Sequence, residues 1–503
     1  MKLLTEMLLL PVLCAPILYI IGMKKPNLAK YLALALSTAF LYKVYQLVSS
    51  YRVYTARIQH LDYDFWVSEE NLEYLIGVDG LSLPLVVLTC IFTPLIILAT
   101  WDSVKEKVGE YLACLCLLQS FLCGAFVSYD LLLFYVFFEA VLIPMFLLIG
   151  IFGGKNKIYA SMKFFLYTFA GSIFLLTSIL YVGAKVDSYA LNDIFKVNLT
   201  LIEQKYIFIA MMFAFAVKVP MWPLHTWLPD AHTEAPTGGS VILAAVMLKL
   251  GAYGMLRIVL PLTPLACMEY HSIVVILSLI AIVYIGFCAL VQKDLKRLIA
   301  YSSIAHMGFV TLGIFIVFAK DVVKDLHITE LMAFQGAYIQ MISHGFISGA
   351  LFICVGILYD RTKTRDIGDY SGVASSMPVF SAFFLFFAMA NCGLPGTSGF
   401  VGEFFIILSA MNHSFWWAFI AGLSLIIGAA YSLFMYKRVA FGKVKNKLIA
   451  DAKDLKFKEA LVLLVLAALT LALGLYPNLL FNYTQASLID TLYGVSIVAG
   501  NTI

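Results

Sequence analysis

The stretch that decides the fold is Phe215–Ser240, FAVKVPMWPLHTWLPDAHTEAPTGGS. An apolar run that reads as helix carries Lys218 inside it, breaks at Pro220, and passes Pro223, Pro229 and Pro236. It restarts at Gly238–Gly239 into a second apolar run. Far downstream lies another interrupted run, NCGLPGTSGFVGEF (Asn391–Phe404), which carries Glu403. Two Gly/Pro-interrupted apolar segments in separate halves of one chain point to an ion or substrate path near the middle of a membrane.

Composition agrees. Of 503 residues, 62% are hydrophobic and 13% charged, against about 25% charged in soluble domains. Mean hydropathy is +0.93. A soluble fold has no interior able to hide so much apolar surface, so the expected class is an all-α polytopic membrane protein. At about 20 residues per span, some fourteen transmembrane helices fall near 3–22, 28–50, 80–101, 110–127, 131–150, 160–184, 206–221, 239–260, 271–291, 298–318, 332–358, 376–409, 414–436 and 458–476. Met1–Gly22 resembles a signal peptide, but its charge follows its long apolar core (Lys24, Lys25), so it reads as the first span.

Loop charge alternates. Lys24, Lys25, Lys105, Lys107, Lys155, Lys157, Lys293, Lys296, Arg297, Arg361, Lys363, Arg365 and the 437–458 loop fall on one side. Arg52, Arg57, Lys185, Lys196, Lys205, Arg257, Lys320 and Lys324 fall on the other. The first set is more than twice the second, which places it in the cytoplasm and both termini outside. Trp101, Trp222, Trp227, Trp416 and Trp417 lie at predicted segment ends, as interfacial indoles do. The polar stretch 52–79, acidic toward its end (Asp62, Asp64, Glu69, Glu70, Glu73), and the 437–458 loop are too short to be catalytic domains. The chain therefore reads as one membrane domain, 1–503: helices 1–3 (1–101), a five-helix repeat (110–260), an inverted second repeat (271–436), and a C-terminal helix and tail (458–503). The interrupted helix is fourth in each block. An odd number of helices per block forces opposite orientation.

Nine cysteines are scattered with no C-x-x-C pair, which fits small buried hydrophobes better than a metal or cluster site. No basic tract interleaved with aromatics suggests nucleic acid.

Four ionisable groups lie inside apolar runs: Glu139 (LLLFYVFFEAVLIPMFLLIG), Lys218, Lys249 (SVILAAVMLKLGAYGML) and Glu403. A charge at a helix centre costs about 2.5–3.5 kcal/mol on insertion scales, so such groups face protein or water and commonly carry ions or protons. His306 and His344 join them near segment centres, with Ser302 and Gln340 one turn before. Burial disfavours the charged form of Lys and Glu alike, and a nearby opposite charge reverses that effect. A Glu139–Lys218 pair of variable separation would thus switch Lys218 between holding and releasing a proton. The order Glu139, Lys218, Lys249, His306 or His344, Glu403 is expected to form a polar line across the membrane centre. Blander readings stand beside it: a static ion pair for Glu139–Lys218, structural hydrogen bonding for Lys249, interhelical hydrogen bonds for the histidines, and a helix cap for Glu403. Asp79 reads as a cap, Lys163 as interfacial positive charge that could approach Glu139, and His225, Asp230, His232 and Glu234 lack metal-ligand spacing.

The run KVPMWPLHTWLPDAHTEAPTGGS (218–240), with YSSIAHMG (301–308), SHGFISGALF (343–352) and GLPGTSGFVGEF (393–404), resembles the antiporter-like subunits of respiratory complex I over essentially the whole chain. Within them it is similar to the M type, the counterpart of mitochondrial subunit 4, because Glu403 stands where sister subunits L and N typically carry Lys. The resemblance implies fourteen helices in two inverted repeats and a proton path through Glu139, Lys218, Lys249, His306, His344 and Glu403. It implies membrane-arm partners, L and N among them, in a bacterial inner membrane. It also implies no cofactor in this chain, with flavin, iron–sulfur clusters and quinone chemistry in other subunits of an NADH:quinone oxidoreductase. The alternatives are a multisubunit Na⁺/H⁺ antiporter subunit, a membrane-bound hydrogenase-type relative, and an inert membrane scaffold.

Overall fold

The computed structural model describes residues 2–67, 72–319, 328–444 and 446–500. Glu69, Glu70, Lys320, Lys324 and Lys445 lie outside the described residues. Among the described residues, eleven helices are long and apolar enough to cross a membrane. The chain begins with α1 (Leu3–Lys24) and α2 (Pro26–Ser50), followed by a hairpin of β1 (Gln59–Val67) and β2 (Leu72–Val78). Then come α3 (Leu83–Ala99), α4 (Val108–Val127), α5 (Leu131–Phe152), α6 (Lys157–Val186), α7 (Leu201–Lys218) and the short α8 (Trp227–Glu234). The second half comprises α9 (Thr237–Leu262), α10 (Pro264–Leu290), α11 (Leu295–Ala319), α12 (Ile328–Thr362), α13 (Pro378–Asn391), α14 (Ser398–His413), α15 (Phe415–Ala440), α16 (Phe457–Leu475) and α17 (Asn478–Gly500).

Every expected span falls on a helix, and both expected interruptions are present, between α7 and α8 and between α13 and α14. Three features depart from expectation. The polar stretch 52–79 contains an antiparallel hairpin, with Asp62 opposite Ile76 and Asp64 opposite Tyr74. The tail after residue 476 is a further helix, α17, whose Leu488, Leu492 and Val495 are buried. Trp227 is interior, 1% exposed, and not an interfacial indole. Its Nε1 donates to the Val217 carbonyl at 2.9 Å, one of the backbone acceptors released where α7 stops.

Sequence explains the helix ends. Asp130 and Asp294 cap α5 and α11 by accepting from the Leu133 and Arg297 amides. Thr200 and Glu203 form a capping box at α7. Within α5 the regular helix lapses at Val141. Pro144 has no N–H to offer and its ring opposes the Ala140 carbonyl. Between α13 and α14, Gly393 and Gly396 take φ of +76° and +90°, a region closed to most side chains.

Loop contacts define two faces. Thr5, at the start of α1, donates to Asp62 in the hairpin at 2.7 Å. Asp102 pairs with Lys456 at 2.7 Å, Arg361 with Glu459 at 2.7 Å, and Ser103 with Asp360, so the lysine-rich loops meet on the opposite, basic face. At the centre stands α12, 35 residues and about 52 Å long at 1.5 Å per residue. Its apolar window is wholly buried, so the other helices wrap around it.

Where α1 crosses α4 the backbones nearly touch. A Cβ on Gly22 would lie 2.3 Å from Gly109 Cα. Gly22→Val is expected to destabilise the subunit by about 1–3 kcal/mol, read as a lower temperature for loss of the folded protein in detergent. An unchanged midpoint would show that this crossing tolerates separation.

Candidate functional site

Helix α9 supplies the central group. Lys249 is fully buried; its Nζ donates to the Ala244 carbonyl at 2.6 Å and lies 2.8 Å from His344 Nδ1 on α12. Two π-helical turns, Leu243–Met247 and Met255–Val259, bracket Lys249. Such turns shift the hydrogen-bond register locally and gather at functional sites. Residue composition carries no signal for them.

The line continues through α12 to α11 and α14. The rings of His344 and His306 are 6.0 Å apart between centroids. His306 Nδ1 meets Glu403 Oε1 at 2.9 Å, and Tyr431 on α15 places its hydroxyl 3.4 Å from His306 Nε2. Gln340 donates to the same Glu403 oxygen at 3.3 Å. A cavity of about 10 Å³ is lined by His306, Gln340, Ser343, His344, Asn391 and Glu403, which is about the room one water needs. A second of the same size touches His306, Asn391, Glu403 and Tyr431. Glu403 is thus the hydrogen-bonded partner of a histidine, and the cap reading of it has no support: the residue preceding α14, Thr397, makes no side-chain cap bond, and Glu403 is spent on His306 and Gln340.

The other half of the expected line is looser. Lys218 is 2% exposed and its Nζ has no hydrogen-bond partner; it sits 4.5 Å from the centroid of the Phe138 ring. Glu139, half-buried on α5 just before the lapse at Val141, leaves Oε1 without a partner. The two residues do not form a direct ion pair. Lys218 lies over a ring of the helix that carries Glu139, Glu139 is hydrogen-bonded with Ser172 on α6, and the Phe134–Phe138–Phe215 rings pack together between α5 and α7. Lys163 does not approach Glu139. It pairs with Asp230 at 2.6 Å, and Arg297 joins the same carboxylate at 3.2 Å.

Residues 128–428 match the family described as NADH:quinone oxidoreductase/Mrp antiporter, and residues 27–125 match NADH-ubiquinone oxidoreductase chain 4, amino terminus. A protein of Rickettsia conorii named NADH-quinone oxidoreductase subunit M is 48% identical over 429 residues, 85% of each chain. The chain belongs to the subunit M family. A chain in the structure of respiratory complex I from Thermus thermophilus with bound NADH superposes with a TM-score of 0.87 at 28% identity, covering 98% of this chain and 99% of that one. A chain of the Mrp complex from Dietzia shares the fold alone, with a TM-score of 0.82 at 20% identity over 99% of this chain and 56% of that one. Membership of the subunit M family, at high identity over most of the length, leaves the antiporter alternative without comparable support.

Several buried polar groups of this subunit M relative do more than the local sequence suggests. Lys296, counted above with loop charge, is buried and donates to the Ala235 carbonyl at 2.6 Å. His232 is fully buried, stacks 4.5 Å from Phe352, and has both ring nitrogens unpartnered. Asp79 does accept from the Leu81 and Ser82 amides as a turn cap, but the same oxygen holds Arg257 at 2.5 Å. Arg257 is therefore a buried partner, not loose loop charge. Among the described residues, no group of three or more His, Cys, Asp or Glu is placed to hold a metal ion.

Proposed function

We propose that this chain is a proton-translocating membrane-arm subunit of an NADH:quinone oxidoreductase, moving protons along Lys249, His344, His306 and Glu403 while electron transfer takes place in partner subunits. Membership of the subunit M family supports the complex, and the likeness to a chain of Thermus complex I supports a place in its membrane arm beside sister antiporter-like subunits of the L and N kinds. The observation that carries the mechanism is the contact of Lys249 Nζ with His344 Nδ1, with His306 and Glu403 next in line.

Lys249 as an ammonium donates to His344 Nδ1. His344 then passes its Nε2 proton to water in the shared cavity, and His306 takes that proton on Nε2 while giving its Nδ1 proton to Glu403. Each histidine accepts on one nitrogen and releases from the other, which is what a relay needs. Glu139 and Lys218, unpaired in this state, form the variable element: closing their separation favours charge on both, and opening it favours release from Lys218. The two broken helices supply the freed backbone and the room for such movement. On this reading the five-helix blocks 110–260 and 271–436 are inverted repeats, the hairpin face is the outer face of a bacterial inner membrane with both termini on it, and flavin, iron–sulfur clusters and the quinone site belong to other subunits.

Glu403→Gln keeps an acceptor for Gln340 but cannot take a proton. In the complex reconstituted into vesicles, NADH-driven acidification is expected to fall several-fold, with Glu403→Asp closer to the unaltered complex. Unaltered acidification by a fully assembled Glu403→Gln complex would remove Glu403 from the path.

A further inference from the structure

Beyond Lys249, helix α9 continues toward the hairpin face, and its next two turns carry a cluster the relay does not use. Lys249, Tyr253 and Arg257 stand at i, i+4 and i+8, on one helix face. At 1.5 Å per residue Arg257 is about 12 Å beyond Lys249. Its Nη2 binds Asp79 Oδ1 at 2.5 Å and donates to the Tyr129 hydroxyl at 3.4 Å, and its Nε donates to the Tyr253 hydroxyl at 3.2 Å. The guanidinium lies between two rings, with centroids 5.1 Å (Tyr129) and 5.5 Å (Tyr253) from Cζ. The side chains of Arg257 and Asp79 are 12% and 4% exposed.

We propose that the Asp79–Arg257 pair seals the hairpin end of the Lys249 station against protons. This rests on the reading of Lys249 as a proton carrier. An arginine keeps its charge in proteins and offers no acceptor, so a proton leaving Lys249 toward the hairpin face meets a fixed cation, the device by which channels exclude protons. Two neighbouring tyrosine hydroxyls are committed to backbone carbonyls. The Tyr253 hydroxyl commits its proton to the Phe126 carbonyl at 2.9 Å, and the Tyr338 hydroxyl commits its own to the Leu81 carbonyl at 2.6 Å. Asp79 balances the charge, so the cation stays buried without a net penalty for an unpaired ion.

The pair is clamped from two sides. Strand β2 holds Tyr129 through its amide, which donates to the Leu75 carbonyl at 2.9 Å. Helix α17 holds the Asp79 turn through Ser487 Oγ, which accepts from the Gly80 amide at 3.0 Å, and a Cβ at Gly80 would meet the Tyr483 carbonyl at 2.2 Å. Arg257 itself lies in the π-helical turn Met255–Val259, the place where α9 can change register. A shift there moves the seal and the Lys249 station on the same helix.

The test measures passive leak, with no NADH present. Vesicles holding the complete complex receive a pH jump, and the decay of the interior pH signal is followed. Asp79→Asn keeps the oxygen that accepts from Leu81 and Ser82 and removes the charge that holds Arg257 in place. Arg257→Gln removes the cation. Both are expected to raise the leak several-fold over the unaltered complex. Combining either with Lys249→Ala is expected to return the leak to the unaltered value, because the freed route runs through Lys249. Unaltered leak in both single variants overturns the seal, and so does a leak that persists when Lys249 is also replaced, since that would reflect general loosening. Loss of the Lys249 role itself is read separately, as undiminished NADH-driven pumping by Lys249→Ala.

Discussion

Lys249→Met is expected to lower NADH-driven proton pumping by at least about tenfold, a conservative figure beside the roughly hundredfold or more typical of a positioned proton-transfer group, while electron transfer from NADH to a soluble acceptor continues. The methionine side chain keeps most of the apolar stem, so packing around α9 and α12 survives. What disappears is the ammonium held by Ala244 and His344. His344 would then have neither ring nitrogen partnered, because its Nε2 already lacks a hydrogen bond. Lys249→Arg sharpens the test. Arginine preserves the positive charge but does not release a proton at physiological pH. If Lys249 serves only as a fixed charge, the arginine variant pumps; if it carries protons, both variants fail. Initial acidification rates in vesicles, normalised to assembled complex, separate the two, and a pumping Lys249→Arg complex would end the relay through this residue.

Much of this arrangement was legible in sequence because hydrocarbon makes buried charge conspicuous. Glu139, Lys218, Lys249 and Glu403 stood out against apolar neighbours, and proline and glycine marked the two breaks. The structure joins Lys249 to His344 and His306 to Glu403, which depth along a helix anticipates without giving the partners. Other features left no such trace. Helix α17 interleaves Asn482, Thr484, Gln485, Ser487, Asp490 and Thr491 with its apolar positions, so a hydropathy window reads it as a tail. The Asp79–Arg257 pair joins residues 178 positions apart, each with an ordinary local explanation as a cap or as loop charge. Trp227 looked interfacial because it follows a break, but breaks in membrane helices are lined by protein, and its indole there satisfies the Val217 carbonyl. The first π-helical turn, Leu243–Met247, packs against α12, a contact that no local pattern encodes.

The second large effect is expected at Glu139, and it turns on the pair not being closed here. With Glu139 Oε1 and Lys218 Nζ both unpartnered, neither residue is needed to satisfy the other in this state. A purely structural ion pair would be closed, since an uncompensated buried charge costs several kcal/mol. Glu139→Gln is therefore expected to leave the amount of assembled complex near normal and to cut pumping about tenfold or more, with Lys218→Ala behaving alike. Glu139→Asp retains the charge on a shorter arm and is expected to keep a substantial fraction of pumping. The ordering Glu, Asp, Gln then follows charge and not volume, because glutamine is the closer match in shape. Pumping by Glu139→Gln at the unaltered rate, in fully assembled complex, would mean that Lys218 titrates without help from α5 and that the separation of these two helices is not the switch. Loss of pumping in Glu139→Asp equal to that in Glu139→Gln would place the requirement on reach: the lapse at Val141, imposed by Pro144, would then be what aims the longer carboxylate toward α7.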